Sequence, residues 1–169
     1  REQLVALGYQ EVITYSFVER QMETLLGTEE SGMLPLANPI SQDMSVMRTS
    51  LWSGLLKTLQ HNHHRQQNRV RLFESGLVFN NINNKLEQIP KVASIIWGDQ
   101  LPEQWGTQNQ AVDFFDIKGD VEALLSLTLA KADFSFKTAE HPALQSGQTA
   151  QVLRGDHSIG WIGALSPAI

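Results

Sequence analysis

Apolar residues recur at helical spacing in the segment from residue 50 to residue 66. Five of them share one side of a helix: Leu51, Trp52, Leu55, Leu56 and Leu59. A stripe of this width is typical of an amphipathic helix that buries one face. Ser50 precedes it, and its hydroxyl can accept a hydrogen bond from the first helical turn. The pattern therefore predicts the central helix of the chain.

Directly after this helix the pattern changes to alternation with a period of two. The alternation predicts a strand over residues 69–79 that bends at Gly76. No Asp or Glu occurs between Asp43 and Glu74, although five basic residues do: Arg48, Lys57, Arg65, Arg69 and Arg71. A helix that leads into a basic strand is thus the predicted centre of the fold.

The remaining pattern predicts shorter elements joined by turns. Helices are predicted at 3–7, 19–26 and 116–127, and strands at 9–17, 33–36, 91–97, 134–138, 148–153 and 158–165. The strand at 91–97 is nearly apolar on both faces, which is typical of a central strand. A turn at 80–84 and a hairpin turn at 154–157 connect neighbouring strands. Together these elements predict an α+β fold, an antiparallel sheet flanked by helices, in a single domain over residues 1–169.

Composition narrows the class of protein. Of the 169 residues, 41% are hydrophobic and 18% are charged, as in ordinary soluble globular domains. A net charge of −5 argues against a domain that coats nucleic acid over its whole surface, but it allows a local basic face. The absence of cysteine excludes disulfides and thiolate metal sites and is compatible with a reducing cytoplasm. No apolar run approaches the ~20 residues that span a membrane.

Three histidines in the central helix raise the question of a metal site. His61 and His64 are three residues apart and share a helix face. No acidic residue in the same segment could supply a third ligand. We therefore interpret His61, His63 and His64 as polar surface or helix-end residues.

Four acidic residues, Asp113, Asp116, Asp120 and Glu122, cluster around a predicted helix start. Carboxylates at this place complement the positive end of the helix, so capping accounts for them. A Mg²⁺ site is the alternative interpretation. No nucleophile elbow, phosphate-binding glycine loop or other assembled catalytic motif occurs.

Six groups of residues, in order along the whole chain, carry a family resemblance. They are residues 7–17, 38–41 with 47–51, 68–76, 113–119, 141–142 with 146–148, and 160–167. Together they resemble the β subunit of bacterial phenylalanyl-tRNA synthetase, specifically its C-terminal synthetase-like core domain. The resemblance implies a class II aminoacyl-tRNA synthetase fold, and we expect the chain to be an excised piece of a longer polypeptide.

The resemblance also implies a function. The family's enzyme is expected to be a cytoplasmic heterotetramer of two α and two β chains. Its α chain makes phenylalanyl-adenylate from phenylalanine, ATP and Mg²⁺ and then charges tRNA(Phe). The matching β domain is expected to be a non-catalytic copy that braces the α chain and helps to hold tRNA. This piece itself would then be inactive and would bind no cofactor.

The strand around Glu74 supports this expectation. In active class II enzymes an Arg two residues before this Glu lies on the same strand face and holds the ATP phosphate. Leu72 occupies that position here, and Arg71 is predicted to project from the opposite face. The first motif of the class ends in Tyr15–Phe17 instead of its usual Pro, and the third motif, a glycine-rich strand and helix with an Arg, is absent.

No catalytic, cofactor-binding or metal-binding residue is predicted, but four arginines are candidate contacts. Arg48, Arg65, Arg69 and Arg71 could pair with acidic groups of the α chain or with tRNA phosphates. A solvated face with local salt bridges is the alternative for them. The α-chain interface is expected on the helix at 50–66 or on an apolar face beside it. Two other functions stay open: an independently active, ATP-dependent carboxylate-activating ligase, and a plain protein-interaction domain unrelated to translation.

Overall fold

A computed structural model describes residues 1–82, 85–128 and 133–169. Its α-helices are α1 (Glu2–Ala6), α2 (Arg20–Leu25), α3 (Trp52–His64) and α4 (Phe114–Leu125), with 3₁₀ turns at Glu30–Gly32 and Gln42–Met44. Its strands are β1 (Gln10–Glu11), β2 (Phe17–Val18), β3 (Leu34–Pro35), β4 (Val46–Met47), β5 (Arg69–Ile82), β6 (Lys85–Gly98), β7 (Phe134–Thr138), β8 (Leu144–Arg154) and β9 (His157–Leu165). The chain divides into two compact units, one of Tyr9–Trp97 and one of Arg1–Gly8 with Gly98–Ile169. The prediction of a single domain stays a prediction.

The unit Tyr9–Trp97 contains two three-stranded sheets, ordered β1-β5-β6 and β2-β4-β3. β1 runs parallel to β5, with Gln10 opposite Leu72 and Glu11 opposite Phe73. β5 and β6 are neighbours separated by two residues of chain, so they can pair only in the antiparallel sense. The prediction of an α+β fold is correct at this level. The prediction of one antiparallel sheet is wrong, because the described strands form three separate sheets and one pair is parallel.

Helix α3 covers the sheet through the predicted apolar stripe. Leu55 is fully buried against Val70 and Leu72, and Val12, Leu59, Ala93, Ile95 and Trp97 pack around them. The helix begins at Trp52, whose N–H donates to the hydroxyl of Ser50 at 3.1 Å. At the other end Gln66 adopts the left-handed conformation, with a φ of 62°. The central helix is therefore confirmed, and its end resembles a Schellman cap without its usual glycine.

Strand β6 differs from the prediction in its place in the sheet. It was predicted to be central, yet it stands at the end of the β1-β5-β6 order. Ala93, Ile95 and Trp97 face the core beneath α3, whereas Val92 on the other face is half exposed. The second face of β6 is apolar but turned toward solvent, and the pattern of apolar residues alone does not distinguish such a face from a buried one. The predicted turn at 80–84 also changes: β5 continues to Ile82, and residues 83 and 84 lie outside the described residues.

The predicted strand at 9–17 is interrupted. Only Gln10–Glu11 and Phe17–Val18 are strands. The backbone N–H of Thr14 donates to the side chain of Glu74 at 3.3 Å, not to a neighbouring strand. A side-chain acceptor thus takes the place of a ladder hydrogen bond at this point.

In the second unit, β7, β8 and β9 form an antiparallel sheet and α4 packs on it. Phe114, Val121 and Leu125 of α4 contact a core of Ala150, Val152 and Ile162. The helix begins at Phe114 and not at the predicted Asp116, because Asp113 and Asp116 form a reciprocal capping box ahead of it. The predicted hairpin is confirmed, with Arg154 opposite His157. No helix in the described parts of the chain is long and apolar enough to cross a membrane.

Candidate functional site

An ion pair lies buried at the centre of the unit Tyr9–Trp97. Nη1 of Arg48 lies 2.6 Å from Oε1 of Glu74, and the two side chains are 5% and 3% exposed. Nε of Arg48 also donates to the carbonyl of Leu77 at 2.9 Å. Arg48 follows β4 and Glu74 lies on β5, so the pair ties these two elements together.

Thr14 completes the coordination of the carboxylate. Its hydroxyl donates to Oε2 of Glu74 at 2.7 Å and accepts from Nη1 of Arg48 at 3.2 Å. With the N–H of Thr14 on Oε1, both oxygens of Glu74 carry at least one hydrogen bond. Each oxygen of the carboxylate is therefore hydrogen-bonded by groups of this chain, as a buried charge must be to be tolerated.

Two glycines make room for this network. A Cβ on Gly76 would lie 2.5 Å from Nη2 of Arg48, and a Cβ on Gly54 would lie 2.1 Å from Oγ1 of Thr14. Real Cβ atoms essentially never approach other heavy atoms this closely. Gly76 thus leaves space for the guanidinium, and Gly54 lets α3 approach the Thr14 segment.

The residue after Arg48 holds a second buried glutamate. The N–H of Thr49 donates to Oε2 of Glu23 at 2.9 Å, and its hydroxyl bonds the same oxygen. Thr28 joins the group through its hydroxyl, 2.7 Å from that of Thr49. Neighbouring residues 48 and 49 therefore connect to β5 and α2 respectively.

Leu72 lies on the same strand face as Glu74, but its apolar side chain cannot bind a phosphate. It is buried against Leu55 and Val70. Arg71 lies on the other face, where its Cζ is 4.7 Å from the centroid of the Tyr9 ring. The predicted opposite orientation of Arg71 and Leu72 is confirmed. The residues at this place do not fit ATP and Mg²⁺, because Leu72 offers a phosphate no charge or hydrogen bond and both oxygens of Glu74 are already hydrogen-bonded within the chain.

The four candidate arginines do not form one group. Arg48 is enclosed, so its predicted role as a surface contact is corrected to that of an internal ion-pair partner. Arg69 and Arg71 lie two residues apart on one face of β5. Burial, followed by the nearby charge of Arg71, lowers the pKa of Arg69, while Tyr9 acts to raise it. Arg65 is exposed at the end of α3.

Residues of the histidine and acidic clusters pack against other side chains or cap a helix. His63 packs edge-on against Trp97 with ring centroids 4.7 Å apart. Asp113 and Asp116 cap α4, and Asp116 also accepts from Gln100 at 2.6 Å. No group of three or more His, Cys, Asp or Glu placed to hold a metal occurs within residues 1–82, 85–128 and 133–169.

An exposed apolar row follows β1 in the same unit as the ion pair. Ile13, Tyr15 and Phe17 alternate along the chain and are 93%, 72% and 39% exposed. The intervening Thr14 is tied to Glu74, which holds the segment in place. A row of large apolar side chains on a fixed segment is typical of a protein–protein contact surface.

The sequence pattern does not identify Thr14, Gly76 and Glu23 as members of these networks. For Glu74 a signal was present: it is the first acid after a long acid-free segment, and so an obvious partner for an arginine in that segment. Nothing in the pattern marked Thr14 or Glu23, because their contacts join residues 60 and 26 positions apart.

Known proteins resemble this chain over its whole length. Residues 1–169 match the family described as phenylalanyl tRNA synthetase beta chain CLM domain. The chain is 52% identical over 168 residues to the phenylalanine–tRNA ligase beta subunit of Nitrosococcus oceani, covering 99% of this chain and 21% of that protein. It is 52% identical over 169 residues to the subunit of the same name from Pseudomonas putida, covering 100% and 21%. The chain thus spans about a fifth of the length of these curated relatives.

A solved structure shares the fold. The structure of Desulfitobacterium hafniense PylSc, a pyrrolysyl tRNA synthetase, aligns with a TM-score of 0.59 at 16% identity, over 95% of this chain and 53% of that one. This likeness concerns the fold alone. Because the family match covers every residue and the relatives are half identical, the chain belongs to the family of phenylalanyl tRNA synthetase beta chain CLM domains.

Proposed function

We propose that this chain is a catalytically degenerate module of the beta subunit of a cytoplasmic phenylalanine–tRNA ligase. That enzyme joins phenylalanine to tRNA(Phe) with ATP and Mg²⁺, and we expect an assembly of two α and two β chains. The module's part is to brace the α subunit and to support tRNA binding. Family membership supports the parent enzyme, and the buried Arg48–Glu74 pair is the observation that carries the non-catalytic role.

The internal ion pair argues against adenylate chemistry in this module. A triphosphate needs a guanidinium or metal aimed into an accessible site. Here the guanidinium of Arg48 is turned inward onto Glu74, and Leu72 fills the place of a phosphate-binding Arg. Freeing Arg48 would leave Glu74 as an unpaired buried carboxylate, which is strongly unfavourable. The arrangement therefore favours a rigid scaffold.

The bracing role rests on the exposed apolar row of Ile13, Tyr15 and Phe17. The outward side of α3, the other interface considered, is polar, with Lys57, Gln60 and His61 exposed. Burying the apolar row against a partner would remove a large unfavourable contact with water. We therefore propose that the α-subunit interface lies on the row beside α3 and not on the helix.

Support of tRNA is assigned to Arg65, Arg69 and Arg71. They lie at or shortly after the end of α3. Guanidinium groups bind phosphate oxygens in a bidentate manner, and each such contact adds to the salt dependence of binding. Arg48 is left out of this group because it is buried.

Co-purification tests the bracing role. The full β chain is co-expressed with a tagged phenylalanine–tRNA ligase α chain, with Ile13→Asp and Tyr15→Asp together as the test variant. We expect the variant to lose α-chain binding while its circular dichroism is unchanged. Leu86→Asp is the matched control, since Leu86 is a half-exposed apolar residue of the same unit. Full retention of the α chain by the double variant would count against the proposal.

Salt titration tests the tRNA contacts. In the assembled enzyme, Arg65→Gln should weaken tRNA binding and lower the slope of log Kd against log salt by roughly one. Lys91→Gln, on the exposed part of β6, should leave the slope unchanged. An unchanged slope in Arg65→Gln and in a combined Arg69→Gln, Arg71→Gln variant would exclude these arginines as phosphate contacts.

A further inference from the structure

A concave surface lies in the unit of Arg1–Gly8 and Gly98–Ile169. It is an open cleft of about 480 Å³ formed by the first turns of α4 and by β7 and β8. This volume lies within the range of about 300–1,000 Å³ that is usual for binding sites. Its lining includes Asp113, Phe114, Phe115 and Lys118 at the start of α4, and Phe136, Thr138 and Gln148 from β7 and β8.

Aromatic rings give the cleft its apolar walls. Phe115 is 74% exposed, which is unusual for so large an apolar side chain. It packs edge-to-face on Phe114, with centroids 5.6 Å apart and ring planes at 86°. Across the cleft, the ammonium of Lys118 lies 4.8 Å from the centroid of Phe136. A further aromatic ring could add edge-to-face or stacked contacts to this set.

Polar groups at the cleft are available for hydrogen bonding. The side chains of Gln148 and Thr138 have no hydrogen-bond partner among the residues that the structure describes. Lys118 is paired with Glu122 one helical turn away, so its charge is compensated. Asp113 lines the cleft and uses Oδ1 for both of its capping hydrogen bonds.

Charge decides between a nucleic acid and a protein as the occupant. The unit that holds the cleft has ten acidic and five basic residues in its sequence, which is the whole formal charge of −5. The unit Tyr9–Trp97 has eight of each. A polyanion would be repelled by the acidic unit, whereas a basic partner would be attracted to it.

We propose that this cleft binds an aromatic side chain, Phe, Tyr or Trp, presented by a basic segment of a partner protein. The ring of the partner packs against the exposed ring of Phe115, and Gln148 and Thr138 bond its backbone or polar tip. The Lys or Arg residues that flank it face Asp113, in a unit whose formal charge is −5. The proposal uses neither the apolar row nor the arginines of β5, so it stands independently of the function proposed above.

Fluorescence polarisation with labelled peptides tests this site on the full chain. The probe is a fluorescein-labelled peptide with one tryptophan between two pairs of lysines. We expect binding that weakens at least about tenfold when alanine replaces the tryptophan, since an aromatic contact and its buried area are lost. A peptide with glutamates in place of the lysines, and a single-stranded RNA oligonucleotide, should bind more weakly still.

Variants of the chain locate the binding. Phe115→Ala removes one wall, Thr138→Trp fills the cleft, and Asp113→Asn removes a charge while keeping a capping side chain. Each variant should weaken binding of the lysine–tryptophan peptide. Trp105→Ala, at an exposed aromatic residue outside the cleft, should leave that binding unchanged. Equal affinity of Phe115→Ala and the parent chain overturns the proposal. So does tighter binding of the oligonucleotide, or no peptide binding at millimolar concentration.

Discussion

The guanidinium of Arg48 and the carboxylate of Glu74 meet at 2.6 Å inside the unit Tyr9–Trp97. The two residues are 26 positions apart in the chain: Arg48 directly follows β4, and Glu74 lies on β5. Charges this well shielded from water are costly unless hydrogen bonds satisfy them, and here Thr14 and the Leu77 carbonyl complete the set. The pair therefore fixes a geometry, and it also occupies the groups that ligand binding would need.

Removing one member of the pair should be strongly destabilising. Arg48→Met leaves Glu74 buried without a cation, and we expect it to lower the free energy of unfolding by about 3–5 kcal/mol. The double variant Arg48→Met, Glu74→Leu should recover most of this loss because no uncompensated charge remains. Urea denaturation of the two variants and the parent measures both effects. If the double variant is no more stable than Arg48→Met, the carboxylate is not the source of the cost.

Two helical glycines should respond in opposite ways to alanine. Gly54→Ala places a methyl group 2.1 Å from Oγ1 of Thr14, so we expect a loss of about 1–3 kcal/mol in stability. Gly119→Ala in α4 meets no atom within 4 Å, so the higher helix propensity of alanine should add about 0.5–1 kcal/mol. Thermal unfolding of both variants makes the comparison. A stabilising Gly54→Ala would mean that α3 does not approach Thr14 as closely as described.

A histidine should make stability depend on pH. Burial lowers the pKa of His141 from its ordinary value of 6.5, and its Nδ1 accepts from the N–H of Ala143 at 3.2 Å. The unfolded chain therefore binds more protons than the folded chain as the pH falls through 6.5. Stability that is fully present above this value should decline below it, toward the lowered pKa of the folded state.

Thermal melts between pH 8 and pH 5 test this dependence, with those limits chosen to be about 1.5 pH units either side of an ordinary histidine pKa. His141→Gln should show a shallower decline in Tm on acidification than the parent. His157→Gln, at the exposed first residue of β9, should follow the parent. Parallel curves for His141→Gln and the parent would show that another group causes the decline.

Local patterns predicted the elements whose contacts are local. The α3 stripe and the β8–β9 hairpin are examples, because periodicity directly encodes which face is buried. The opposite orientation of Arg71 and Leu72 followed in the same way from the two-residue period of a strand. The predicted first residue of α4, Asp116, lies two residues after the observed one, Phe114, because the pattern does not reveal which carboxylate caps the helix.

Long-range contacts set the features that the pattern did not predict. The N–H of Thr14 donates to the side chain of Glu74 and not to a neighbouring strand, and no residue near Thr14 in the chain indicates this. Arg48 looked like a surface cation because its segment contains no acid, yet the next acid along the chain is its partner. Strand order also depends on distant pairing, so the edge position of β6 was not predictable from its apolar composition.

Phenylalanine-dependent ATP–pyrophosphate exchange by the purified chain tests the central claim most directly. We predict no exchange above background, and none in Leu72→Arg either, because Glu74 stays bound to Arg48 and Thr14. Leu72→Arg should also be destabilised, since a guanidinium would be forced against Leu55 and Val70. Exchange by the unaltered chain that requires phenylalanine would contradict the assignment of a non-catalytic brace.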